Sequence, residues 1–162
     1  MNFNARLSGF LLLFALVSVS TQAAAQTTYT FTTFTVPNST YTGPAAIDES
    51  GDVTGYYGAP VTGAQTGFLR TSSGKIIASS YPPGATSTVA GGMNKFGVIA
   101  GSYLAGTTTG GFFYYKGVYR NVVVKGQPAT VGDINDYGYY VGSYGSPGGS
   151  LVSWPYQPGR SR

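Results

Sequence analysis

Asp48, Glu49, Asp52, Asp133 and Asp136 are the only acidic side chains, and neither histidine nor cysteine accompanies them. With the usual imidazole base and thiol nucleophile missing, these five carboxylates are the candidates for acid–base chemistry or for a hard cation. A Ser-His-Asp relay, a thiol nucleophile and the usual zinc sites are excluded, because each needs an imidazole or a thiolate. Acids alone leave glycoside hydrolysis, which needs two carboxyls across the scissile bond, or calcium bound by the oxygen-rich stretch 48–52. Yet all five acids lie in or beside clusters of Asx and glycine, where such side chains bond the nearby backbone and shape tight turns. The calcium reading is weakened further because Asn94 and Lys95 stand at the matching place of a second copy, where a cation would meet an ammonium. The residues therefore predict turn architecture, with no catalytic residue, no metal and no cofactor.

Tyrosine is the other abundant chemistry, with fourteen residues that include the pairs Tyr56-Tyr57, Tyr114-Tyr115 and Tyr139-Tyr140. Exposed rings stack on sugars or on a protein partner. Tyr57, Tyr103 and Tyr144 share a strand face with aliphatic residues and are expected to pack between sheets. Tyr56, on the opposite face, and Trp154, near the end of the chain, are the candidates for a ligand surface.

The elements that would position these side chains repeat along the chain. Segments 47–57, 93–103 and 134–144 align without gaps, at spacings of 46 and 41 residues. In each copy an apolar residue (Ile47, Met93 or Ile134) precedes an Asx residue (Asp48, Asn94 or Asn135). A glycine then follows (Gly51, Gly97 or Gly138), which is the chemistry of a hairpin turn. After it, Val53, Gly55 and Tyr57 alternate with Thr54 and Tyr56. Ile99, Gly101, Tyr103 and Tyr140, Gly142, Tyr144 repeat the pattern, and period two means a strand. A glycine in mid-strand marks a place where a neighbouring backbone or ring comes close.

Further strands at 66–70, 75–80, 110–115 and 118–124, separated by Gly-rich or Lys-Gly turns, give four strands per unit. The predicted fold is all-β, with three four-stranded antiparallel units at about 41–80, 86–124 and 129–154 forming β-propeller-like blades. The stretch 28–36 alternates as a strand and is expected to complete the last unit, hiding sheet edges. A β-trefoil or β-prism has the same repeat count and is the alternative. Three blades are few for a closed ring, so a homodimer that joins two chains into six blades is a further expectation.

In this register the chain resembles the HAF-repeat proteins, exported bacterial proteins of largely uncharacterised function. Their repeat reads roughly Ile-Asn-x-x-Gly-x-Val-Gly-x-Tyr, followed by a spacer and His-Ala-Phe or Gly-Phe. Met93-Asn94 with Gly97 and Gly101, Ile134-Asn135 with Gly138 and Gly142, and residues 83–88 carry the resemblance. Asp48 replaces the asparagine in the first copy, and no copy keeps the histidine. The resemblance implies propeller-like blades and brings no catalytic residues with it.

Arg6, the apolar run 10–19 and the small residues Ala23, Ala24 and Ala25 have the order of a cleavable export leader. The expected cut follows Ala25, leaving a single domain at 26–162 that is secreted or periplasmic and has no membrane span. The formal charge of +4 comes from scattered bases and few acids. No basic run tracks phosphates, so nucleic acid is not an expected partner. The expected function is a non-enzymatic binding or structural module with protein or glycan as partner. The alternative is a glycan-active enzyme using Asp or Glu.

Overall fold

The computed structural model describes residues 28–79, 82–145 and 149–152. The expected leader, 1–25, and Trp154 lie outside them. Among the described residues the regular structure is entirely β, and every strand pair is antiparallel.

Strands β1 (Thr42–Ile47), β2 (Val53–Gly58), β3 (Gln65–Arg70) and β4 (Ile76–Ser79) form one sheet in chain order. A second, seven-stranded sheet, also in chain order, holds β5 (Ser87–Met93), β6 (Ile99–Ala105), β7 (Thr108–Tyr115) and β8 (Val118–Val124). It continues into β9 (Gln127–Ile134), β10 (Tyr140–Tyr144) and β11 (Gly149–Val152).

This corrects the expected division into three separate four-stranded sheets, and the two connections explain the difference. Between β4 and β5 lies a Pro82-Pro83-Gly84 stretch, in which two prolines offer no N–H to a ladder. Between β8 and β9 lies only Lys125-Gly126, with φ of +50° and +76°. Two successive residues of positive φ make the turn that joins adjacent antiparallel strands. Val124 therefore pairs with Gln127 and Val123 with Pro128. The same device, Lys116 and Gly117 at φ +46° and +87°, joins β7 to β8.

The ladder between β8 and β9 stops after these two pairs, and β9 then runs across the face of β6 and β7. Val98, Ala100, Phe113 and Val122 meet Ala129, Val131 and Ile134 there in one buried cluster. Ser102 on β6 fastens the contact, since its Oγ donates to Val131 O at 2.9 Å and accepts Val131 N–H at 3.1 Å. The opposite face of β5 and β6 packs against the first sheet, where Ala90, Met93 and Ile99 meet Ala46 and Leu69.

The stretch 28–36 contains no strand. Thr42 and Ser39 take up its last backbone groups: Val36 N–H donates to Thr42 Oγ1 at 2.9 Å and Ser39 Oγ donates to Val36 O at 2.7 Å. Such local side-chain bonds compete with a ladder for the same donors and acceptors. Phe34 sets its ring edge-on to Phe68 of β3, with centroids 5.9 Å apart, and Arg70 covers it at 4.9 Å. The end of this stretch thus lies on the first sheet, not the last.

Candidate functional site

The three Asx turns adopt one hydrogen-bonded form. Asp48 Oδ1 accepts the N–H groups of Ser50 and Asp52, both at 2.9 Å. Asn94 Oδ1 accepts those of Phe96 and Val98 at 3.1 Å, and Asn135 Oδ1 those of Tyr137 and Tyr139 at 3.0 Å. Gly51, Gly97 and Gly138 follow at φ of +83°, +75° and +81°, and each N–H bonds back to the carbonyl of its Asx residue. A type I turn followed by a left-handed glycine is a three-residue hairpin loop.

The three other aspartates also accept backbone N–H groups. Asp52 Oδ1 accepts Ser72 N–H at 2.7 Å, clipping the β1–β2 turn to the β3–β4 turn. Asp133 Oδ1 accepts Ile134 N–H at 2.8 Å. Asp136 Oδ1 accepts Lys95 N–H at 2.9 Å, and its Oδ2 lies 3.7 Å from Lys95 Nζ. Glu49 is exposed at its turn. Among the described residues no three acids gather into a group that could hold a metal.

The mid-strand glycine has a physical cause common to all three copies. Each first strand carries one extra residue, Ala45, Gly91 or Gly132, where its register with the second strand slips. Gly55, Gly101 and Gly142 stand opposite these bulges. A Cβ on any of them would overlap a carbonyl oxygen of the first strand: Gly43 O, Val89 O or Thr130 O. Only glycine lets the backbones approach this closely.

A cleft of about 260 Å³ lies between the first sheet and the β5–β8 part of the second. Thr54, Leu69 and Ile77 line one wall; Ile99, Tyr114 and Tyr119 line the other. Each trio is a cross-strand row, since Thr54 pairs with Leu69 and Leu69 with Ile77, as Ile99 pairs with Tyr114 and Tyr114 with Tyr119. The rings of Tyr114 and Tyr119 lean together at 4.7 Å, and Phe112 sits 5.5 Å from Tyr119. Thr54 Oγ1 donates to Phe68 O at 2.8 Å, so its polar atom is already engaged. The walls carry no charge, and the surface on offer is aliphatic and aromatic.

Tyr56 is not part of this cleft. Its half-buried ring lies over Gly43 and meets Tyr41 edge-on, with centroids 6.1 Å apart. Tyr57, Tyr103 and Tyr144, expected between sheets, are half-buried. The Tyr103 ring lies over Gly110, and Tyr144 packs at the margin of the β6–β9 cluster, with Lys125 Nζ 5.9 Å from its ring centroid. The cleft residues escaped sequence reasoning because they come from two units. The signal that would have found them is the row of side chains that results when the strands of each unit are laid in register. No protein-family model matches the chain, and neither a curated protein nor a solved structure is significantly similar to it.

Proposed function

We propose that the chain is an exported, non-enzymatic binding module of three blade-like repeat units, whose cleft between the first two units receives an apolar group of its partner. Export rests on the leader at 1–25, and delivery is to the periplasm or the exterior. The likeness of the repeat to HAF-repeat proteins supports the blade reading. So does the recurrence of one bulge, one facing glycine and one Asx turn in each unit, the third unit showing three strands among the described residues.

The observation that carries the binding reading is how the side chains are employed. Asp48, Asp52, Asp133 and Asp136 accept backbone N–H groups at or beside turns, while the concave surface is built from Leu69, Ile77, Ile99, Tyr114 and Tyr119. Size narrows the ligand. An apolar cavity of about 150 Å³ holds a benzene ring, and drug-sized ligands need roughly 300 Å³ or more. At about 260 Å³ the cleft suits one aromatic or branched aliphatic group, such as a partner's side chain.

Titration with indole, followed by shifts of the Tyr114 and Tyr119 ring resonances, tests this. Saturable shifts are expected in the native protein, and Ile77→Trp, which fills the cleft from its wall, should remove them. An absence of saturation would overturn the binding reading. Turnover of a chromogenic glycoside that disappears in Asp52→Asn would replace it with the glycan-active alternative.

A further inference from the structure

The chain makes one kind of joint twice. At the first, β5 lies on β2 and β3; at the second, β9 lies on β6 and β7. Each joint brings the first strand of one unit onto the second and third strands of the unit before it. The entering residues are equivalent: Ala90 and Met93 at the first joint, Val131 and Ile134 at the second, exposed by 3%, 8%, 2% and 4%. The receiving residues are equivalent too, Thr54 and Ala100, each at 0%.

Both halves of this joint recur at the two ends of the repeat, and there they stand open. On β1, Ile47 holds the place of Met93 and Ile134 and is 67% exposed, and Pro44, in the place of Ala90 and Val131, is exposed as well. On β10, Val141 holds the place of Thr54 and Ala100 and is 49% exposed. Ile47 and Val141 are apolar at positions whose counterparts are buried, so both ends retain the chemistry of the joint without its partner among the described residues.

We infer that β1 of one copy docks on the outer face of β10–β11 of a second copy, remaking between chains the joint that each chain makes twice within itself. The occupant is another copy because the strand that the two equivalent faces, β2–β3 and β6–β7, accept is in each case the first strand of this repeat. The turns agree with that pairing. At the second internal joint, Asn94 Nδ2 donates to Asn135 O at 3.3 Å, and Lys95 N–H donates to Asp136. In the pairing between copies, Asn135 brings the same amide, and Glu49 brings a carboxylate to the place of Asp136. Asp136 keeps Lys95 as its counter-ion, which offsets the second carboxylate. The pairing is head-to-tail, so two copies that satisfy both ends close a ring of six units. It depends on the recurrence of the joint and on exposure, not on what the cleft binds.

Light scattering and sedimentation of the protein purified after expression with its own leader test the joint. The native protein is expected to form a dimer. Ile47→Asp removes the entering half and Val141→Asp the receiving half, so each variant alone should be monomeric, with association weakened about tenfold or more. Both positions are exposed, and circular dichroism checks that each variant keeps its fold. An equimolar mixture should recover a dimer, because each variant supplies the half the other lacks. A native protein that stays monomeric overturns the inference and assigns the two faces to other cover, such as residues 153–162 or a different protein. So do variants that dimerise like the native protein, or a mixture that remains monomeric.

Discussion

Asn94 ties its own turn to the equivalent turn 41 residues later: its Oδ1 accepts two N–H groups within the turn, and its Nδ2 donates to Asn135 O at 3.3 Å. The first copy has Asp48 at the same place, and a carboxylate accepts the same pair of bonds but has no amide to donate. The Lys95–Asp136 ion pair beside this contact is exposed and of the kind that contributes about 0–1 kcal/mol. Asn94 is buried, so its bonds should dominate. Asn94→Asp is expected to cost about 1–3 kcal/mol by urea denaturation, because a carboxylate would face a carbonyl oxygen. Asp48→Asn should change stability by less than about 0.5 kcal/mol. Equal effects of the two substitutions would refute the link between the turns.

The glycines divide into two mechanisms that alanine separates. At Gly97 the backbone is left-handed and a Cβ would meet nothing within 4 Å, so Gly97→Ala should cost only the conformational strain, about 1–2 kcal/mol. At Gly101 a Cβ would overlap both Val89 O and the Phe112 ring. Gly101→Ala is expected to cost about 3 kcal/mol or more. Thermal melts of the two variants check the order, and a milder Gly101→Ala would place the strands farther apart than described.

Burial also sets the aromatic order. Phe113 is buried in the cluster between β6 and β9, and Phe113→Ala should cost about 3–5 kcal/mol. Tyr103, half-buried over Gly110, should cost distinctly less, about 1–2 kcal/mol. A larger loss at Tyr103 than at Phe113 in chemical denaturation would reverse the assignment of the core.

What could be read from the sequence was the local part. Asp48, Asn94 and Asn135 with their glycines encode a turn within five residues, and alternation around Gly55, Gly101 and Gly142 encodes a strand and a close approach. Which strands share a sheet depends on connections. Lys125-Gly126 was legible as a turn, but its consequence, that β9 pairs with β8, requires comparison with the proline-containing link before β5. The stretch 28–36 alternates as a strand would, yet a strand needs a partner, and Thr42 and Ser39 satisfy its last backbone groups instead. The cleft was illegible because Leu69 and Tyr114 become neighbours only when two sheets pack.

The strict chain order of strands in both sheets bears on how the protein reaches this structure. Each ladder closes a loop of only a few residues, so little chain entropy is lost before hydrogen bonds begin to compensate. Sheet formation can therefore advance hairpin by hairpin from any Asx or Lys-Gly turn, without waiting for distant segments to meet. The face-to-face joints at β5 and β9 are the long-range steps that come after. For an all-β protein this places folding toward the fast end of its class, with the two joints setting the rate.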